Sequence, residues 1–315
     1  MASPNLSNPI FHDEDKARAW LEKRLWPDGP ICPHCGVVDQ ATLLKGKSPR
    51  PGLYQCNACR KPFSVTVGTL YERSKVPLCK WLAATHLMMS SKKGMAAIQI
   101  GRLLGLSKKT AWFVCHRIRE SLRTKASAAP MGSGGGAVEV DETFFGQAEK
   151  PAGARGVHAM NKVLSLVDRQ SGEARSFVIF DLDYDEIGPI LRANLAKEAR
   201  LMTDDAGYYR RARHDFESHE TVSHRQEEWA RGDVCTNTVE GFYSIMKRGL
   251  HGVYQHVGSQ HLHRYIAEFD FRYTNREATG CDDTARFEKS IPGIVGKRLT
   301  YRRTRRNEEA AKRPW

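Results

Sequence analysis

The 315-residue chain has no run approaching ~18 consecutive apolar residues, which excludes a membrane-spanning helix. Its first twenty residues, MASPNLSNPIFHDEDKARAW, lack a basic segment followed by an apolar one, so a secretory signal is not expected. Acidic residues are too few to balance the basic ones: 36 Asp and Glu face 49 Lys and Arg, a formal net charge of +13. No internal repeat is present. The rest of the composition, 40% hydrophobic, 9% aromatic and 27% charged, excludes a disordered chain, a collagen-like chain and a simple coiled coil. The length suits roughly two domains. A basic chain without a membrane segment points to a polyanionic partner, nucleic acid first; the competing reading is a solvated basic surface.

Eight cysteines are present. Without an export signal disulfides are disfavoured, and regular cysteine spacing reads as metal ligation. Cys32-Pro-His-Cys35 and Cys56-Asn-Ala-Cys59 are two such pairs, with twenty residues between them. Each pair chelates through two thiolates, and together they complete a tetrahedral four-cysteine zinc ribbon. Because the protein fills all four positions, the expected zinc, one per chain, is structural. A redox pair is the competing reading. Cys79, Cys115, Cys235 and Cys281 are isolated and read as small buried hydrophobes. The stretch ending Gly46-Lys47-Ser48 looks like a loose phosphate loop but lies between the two knuckles, without the strand and helix that such a loop needs. His219-Glu220 and His224 miss the spacing of a helical zinc-protease motif.

Asp13 is a candidate N-cap for a helix over 11–26, ended by Pro27 and Gly29. Residues 77–123 read as three helices: Pro77 to about Met89, Met95–Leu104, and, after a Gly105 turn and a Ser107 cap, a third to about Leu122. This is the helix-turn-helix pattern. Lys92 to Lys125 holds nine Lys and Arg and one acid, Glu120. The third helix divides into apolar Ala111, Trp112, Cys115 and Ile118 and basic Lys108, Lys109, Arg117, Arg119 and Arg123. Ser107, Lys108, Lys109 and Thr110, with Arg117 and Arg119 further along, are the expected DNA contacts; an ordinary solvated basic helix is the alternative.

Small, uncharged residues (ASAAPMGSGGG) mark a flexible linker over 126–137. Strands are expected at 137–146, 162–168 and 174–182, as an antiparallel meander. A helix over Asp185–Ala199, a strand Leu201–Asp204, a helical stretch Tyr208–Phe216, a strand Thr221–His224 and a helix Thr236–Leu250 follow. That order fits an α/β RNase H-like domain with a mixed five-stranded sheet. The expected organisation is multidomain: helix and zinc ribbon over 1–74, helix-turn-helix over 75–125, the linker, an RNase H-like catalytic domain over 138–296 and a basic tail over 297–315.

Alternation puts Val138 and Val140 on one face of the first strand, and Glu139 and Asp141 on the other. Asp204 ends a later strand, and Glu240, with 35 residues between them, lies in the first turn of the 236–250 helix. Singly, each has a bland explanation: a strand-end turn for Asp141, an Asp-Asp-Ala-Gly turn for Asp204, a capping box from Asn237 for Glu240. Together, on these elements, they supply the hard oxygen ligands that hold two Mg²⁺ about 4 Å apart for phosphoryl transfer. Lys247 lies two helical turns, roughly 10 Å, beyond Glu240 on the same face, where a cation can hold DNA phosphate. Asn237, three residues before Glu240, also faces the site.

Several stretches carry a specific resemblance. They are Cys32-Pro-His-Cys35-Gly36, Phe63–Thr69, Val140-Asp141-Glu142-Thr143, Thr203-Asp204, Asn237-Thr-Val-Glu240 through Lys247-Arg248-Gly249, and His261–Tyr273. In these the chain resembles the bacterial insertion-sequence transposases that join an N-terminal zinc ribbon to a DDE catalytic domain. Thr274-Asn275-Arg276 departs from that pattern by one additional residue. The resemblance implies Mg²⁺-dependent cleavage of element ends and joining of the freed 3′-hydroxyl to target DNA, with Mn²⁺ as a substitute ion. Asp141 would bridge two Mg²⁺, Asp204 would bind one and Glu240 the other, while Lys247 and Arg248 would meet DNA. Asp204 is preferred over Asp205 because it directly ends the strand. Joining two ends in concert implies at least a dimer on DNA, in the bacterial cytoplasm at the nucleoid. The alternatives are a DNA-binding regulator or relic without catalysis, a structure-selective nuclease of the same fold, and a ribonuclease, for which no aromatic-rich RNA motif is present.

Overall fold

The computed structural model describes residues 6–46, 50–123, 129–146, 148, 156–223 and 226–300. Lys47 and Ser48 of the phosphate-loop-like stretch, His224, the first residues of the expected linker and the basic tail from residue 301 lie outside them. The chain divides into two compact units. One comprises residues to Ser91, Met95–Leu122 and Asp283 onward; the other comprises Lys92–Gly94 and Arg123–Asp282.

The first unit opens with α1 (Glu14–Leu25), whose N-cap Asp13 accepts from the amides of Asp15 and Lys16. Strands β1 (Ala41–Leu43), β2 (Tyr54–Cys56) and β3 (Pro62–Phe63) form a small antiparallel sheet in that order. Among the described residues its core is Cys32, Cys56 and Phe63, with Trp26, Ala41, Tyr54, Cys59 and Val67 packed against them half-buried. So small a core cannot hold a sheet alone, which is the physical case for a metal cross-link. Helix α2 (Leu78–Ser90) follows and is buried from Leu78 to Met89 except at half-buried Lys80. Pro77 supplies no side-chain cap, and the Glu14 carboxylate serves instead, accepting from the amides of Leu78 (2.9 Å) and Cys79 (3.1 Å).

Helices α3 (Ala97–Leu104) and α4 (Lys108–Ser121) meet across the expected turn. Gly105 takes φ +62°, where a side chain is strained. Gly101 lets the helices close: a Cβ there would stand 3.1 Å from the Ala111 methyl.

The second unit is built on β4 (Ala137–Phe145), β5 (Asn161–Asp168) and β6 (Ala174–Ile179), an antiparallel meander. Helix α5 (Tyr184–Asn194) leads to β7 (Arg200–Asp204), and a 3₁₀ segment (Gly207–His214) leads to β8 (Ser218–Val222). Both strands run parallel to β4, giving the order β6-β5-β4-β7-β8, the mixed five-stranded sheet expected of an RNase H-like domain. A short hairpin, β9 (Ala230–Arg231) and β10 (Val234–Cys235), precedes α6 (Asn237–Gly249) and α7 (Ser259–Thr274). Strand alternation sorts the core into two layers. Val138, Val140, Leu164 and Leu166 pack with Ile187 and Leu191 of α5. Val163 and Val167 pack with Val239, Phe242 and Met246 of α6 and with Leu262 and Phe269 of α7.

Three expectations need correction. The described part of the linker is folded: Met131 is buried and bridges Leu195, and the Gly132 amide donates to Asp168 at 3.0 Å. The α5 helix stops at Asn194 because the next residue turns to pair with Met131. The expected catalytic domain extends to 296, whereas α8 (Asp283–Ser290) and the 3₁₀ turn after it belong to the first unit. There Phe287 stacks on Trp20 at 5.2 Å, the Leu70 amide donates to Ile294 O, and Lys297 Nζ donates to Glu120 O at the end of α4.

Asp270 of α7 is buried beneath β6, accepting from the Ser176 amide (2.9 Å) and Oγ (2.6 Å). Burial pushes its carboxyl up to about 7 against those hydrogen bonds. A carboxyl raised on folding keeps its proton while the unfolded chain releases its own, so its stabilisation is present below pH ~4 and is lost as pH rises toward 7. Asp270→Asn should therefore remove up to about 3 kcal/mol of the stability difference between pH 5 and pH 8. Denaturant unfolding of both proteins at the two pH values measures it.

Candidate active site

Asp141 leaves β4 on the face that α6 covers, as alternation predicts. Helical spacing places Glu240, Ser244 and Lys247 on one exposed stripe of α6. These elements bound an open cleft of about 370 Å³ lined by Asp141, Glu142, Thr143, Glu240, Tyr243, Ser244 and Lys247. Asp204, at the end of β7, accepts from the Ala206 amide at 3.1 Å and acts on the cleft by its charge. Neighbouring Asp205 is engaged elsewhere, accepting from Ser223 Oγ at 2.7 Å.

Burial pushes Asp141 up to about 7, the charges of Asp204 and Glu240 add to the shift, and the Glu142 amide and Lys247 oppose it. Glu142 is raised to about 8 by burial and by Asp141, although Tyr209 donates to it at 2.8 Å. Carboxylates crowded against one lysine form a hard-oxygen donor set that a divalent cation neutralises, so the residues fit Mg²⁺.

The attachment of α6 differs from a simple capping box. Asn237 is an exposed first-turn residue outside the cleft lining, and Thr236 caps no amide, its hydroxyl donating to Glu240 Oε1 at 3.1 Å. The cap comes from the sheet. The fully buried Glu139 accepts from the amides of Thr238 (2.7 Å) and Val239 (2.9 Å). Arg248 folds back along its own helix, donating to Ser244 O and Oγ.

In the first unit the four cysteines converge. Cys32 and Cys59 sulfurs lie 3.7 Å apart and those of Cys35 and Cys56 3.6 Å. Among the described residues, this group alone brings three or more potential ligand atoms within 4.8 Å of one another; the three acids do not close so tightly. The Cys59 amide, donating to Cys56 sulfur, leads the interactions that lower that thiol to about 6, while Cys35, against the Val37 amide, is pushed up to about 12 by the other three sulfurs, a crowding that a cation would relieve. Four soft, closely grouped donors fit zinc.

On α4, Ser107, Lys108 and Lys109 are exposed and Thr110 is half-buried. Ser107 Oγ caps the helix through the Thr110 amide at 3.2 Å. Arg117 and Arg119 are corrections to the expected DNA contacts, being 9% and 1% exposed. Arg117 donates to Leu299 O and Glu72 O and lies over the Phe113 ring. From Val114 onward α4 is buried apart from the half-buried Glu120, and its exposed residues are Lys108 and Lys109 in the first turn.

Residues 134–274 match the ISXO2-like transposase domain, and residues 12–62 match the transposase zinc-ribbon domain. The chain carries both domains of the zinc-ribbon insertion-sequence transposases. An uncharacterized protein in transposable element ISH50 of Halobacterium salinarum is 26% identical over 278 residues, 83% of this chain and 91% of that protein. Among solved structures, a simian T-cell lymphotropic virus intasome in complex with PP2A regulatory subunit B56 gamma matches with a TM-score of 0.29 and 12% identity. The match covers 53% of this chain and 62% of that one.

Within the transposase domain, the cleft adds Glu142 and Tyr243 to the expected residues, with Tyr209 bonded to Glu142. Glu142 adjoins Asp141, and Tyr243 lies three residues after Glu240, so strand adjacency and helical period were the available signals. For the transposase zinc ribbon, Cys35→Ser should lower zinc below one ion per chain and reduce the melting temperature. Metal analysis with thermal unfolding tests this; full zinc and unchanged melting would contradict the assignment.

Proposed function

We propose that the chain is a DNA transposase that binds the ends of an insertion sequence, cuts them and joins the 3′-hydroxyl ends to target DNA. The observation that carries this is one cleft, on a transposase-family domain, that gathers Asp141, Glu240 and Lys247 with Asp204 acting on it by charge. Asp141, Asp204 and Glu240 would hold two Mg²⁺, which supply activation of the attacking oxygen and charge stabilisation of the leaving one. Lys247 neutralises a DNA phosphate held beside the acids, and Tyr243 and Ser244 shape the wall on which it rests. The N-terminal turn of α4, with Ser107, Lys108 and Lys109 exposed and Thr110 half-buried, reads the element end, and Arg248 adds charge next to the cleft. Two copies act together because two ends are joined in concert. The protein works in the cytoplasm, at the nucleoid; among the described residues, no helix is long and apolar enough to cross a membrane.

Purified protein with DNA carrying an element end and Mg²⁺ should nick at the element boundary. Asp141→Asn should slow this at least ~100-fold, the scale of losing a principal charge-stabilising group. Lys108→Ala with Lys109→Ala should weaken end binding and lower its salt slope by about 2, while leaving cleavage of saturated complexes intact. Equal cleavage by wild type and Asp141→Asn would contradict the active-site assignment.

A further inference from the structure

Glu139 sits two residues before Asp141 on the same face of β4, with no exposed surface. Its carboxylate takes four hydrogen bonds. The Thr238 and Val239 amides donate to Oε2; Thr238 Oγ1 (2.7 Å) and Arg169 Nε (2.5 Å) donate to Oε1. Arg169 also donates to Asp233 O (2.5 Å) and Cys235 O (3.0 Å), fastening the β9–β10 hairpin that leads into α6. One turn further along the helix, the Tyr243 hydroxyl donates to Asp141 O.

Apolar packing of Val239, Phe242 and Met246 already attaches α6 to the sheet. Such packing is non-directional and tolerates small rotations and slides. Burying a charge for attachment alone is unfavourable compared with an apolar contact of equal size. A carboxylate taking two backbone amides at a helix start is directional instead, and its charge complements the helix dipole. It fixes the rotation and height of the first turn, where Glu240 stands, relative to the strand that carries Asp141.

We propose that Glu139 is a positioning residue that sets Glu240 against Asp141, so that the two carboxylates are preorganised for divalent cations. The inference rests on the proposed transposase site, and Glu139 itself touches neither DNA nor the reacting atoms. Glu139→Gln keeps the volume but turns an amide toward N–H donors, replacing an acceptor where all four partners donate.

The test uses the full chain with Mn²⁺ as the probe ion. Calorimetric Mn²⁺ titration and hydrogen exchange are read beside Mg²⁺-dependent end cleavage. Glu139→Gln should raise the Mn²⁺ midpoint at least 10-fold and speed exchange of the Thr238 and Val239 amides at least 10-fold, while β4 stays protected. It should lower kcat at least 10-fold without changing KM for end DNA. Ile187→Ala, which loosens the opposite core layer, should leave the Mn²⁺ midpoint within twofold, separating positioning from general stability. If Glu139→Gln does not fold, Thr238→Val, which removes one donor and no charge, should shift the same readouts by a smaller factor. An unchanged Mn²⁺ midpoint in the folded variant overturns the proposal. A wild-type chain that binds Mn²⁺ but cuts no DNA contradicts the transposase reading alone, and the ion midpoint still decides the role of Glu139.

Discussion

The buried carboxylate of Glu139, taking two backbone amides from the first turn of α6, is the contact on which the second unit's geometry depends. A sheet presents side chains at a fixed alternation and a helix at a fixed period, but nothing intrinsic to either sets one against the other. Here a charged acceptor on β4 meets the unsatisfied donors at a helix start, so both needs are met by one bond set. Asp141, Glu240 and Lys247 then inherit their relation from two rigid elements rather than from loops. The Tyr243 hydroxyl on Asp141 O repeats the attachment one turn later.

The first unit solves a related problem with fewer resources. Its three short strands enclose a small core, and four sulfurs stand at the spacing with which a zinc ion would cross-link them. Beside the ribbon, Glu14 caps α2 much as Glu139 caps α6, again a carboxylate far away in sequence serving a helix that lacks its own cap. The chain then returns at α8 to close the unit, stacking Phe287 on Trp20 and bringing Lys297 to the carbonyls that end α4. With α4 buried from Val114 onward apart from half-buried Glu120, its exposed residues are Lys108 and Lys109 in the first turn.

What was legible in the sequence follows from the range of the forces involved. Cysteine spacing, the Asp13 and Ser107 caps, the Gly105 turn and the strand alternation at Val138–Asp141 are local, and the structure bears them out. The order of strands and helices was enough for the mixed five-stranded sheet. The errors came from long-range packing. Arg117 and Arg119 have the composition of a solvated face, and contacts with segments distant in sequence, Glu72 and Leu299, help to bury Arg117. The glycine-rich stretch around residue 132 reads as a linker until Asp168, 36 residues away, accepts its amide. Alternation puts Glu139 on the correct face, but the helix amides it accepts from lie about a hundred residues on, where no local pattern announces them.

The central claim is that this fold moves DNA by chemistry that needs the Glu240 carboxylate. A marker flanked by the native DNA on either side of the reading frame, supplied with the protein in trans in cells, tests it directly. Wild type is compared with Glu240→Gln, which keeps the shape and removes the charge. Movement of the marker with wild type and its loss with the variant is the predicted result. Equal movement with both proteins, or none with wild type while end binding is intact, would contradict the account.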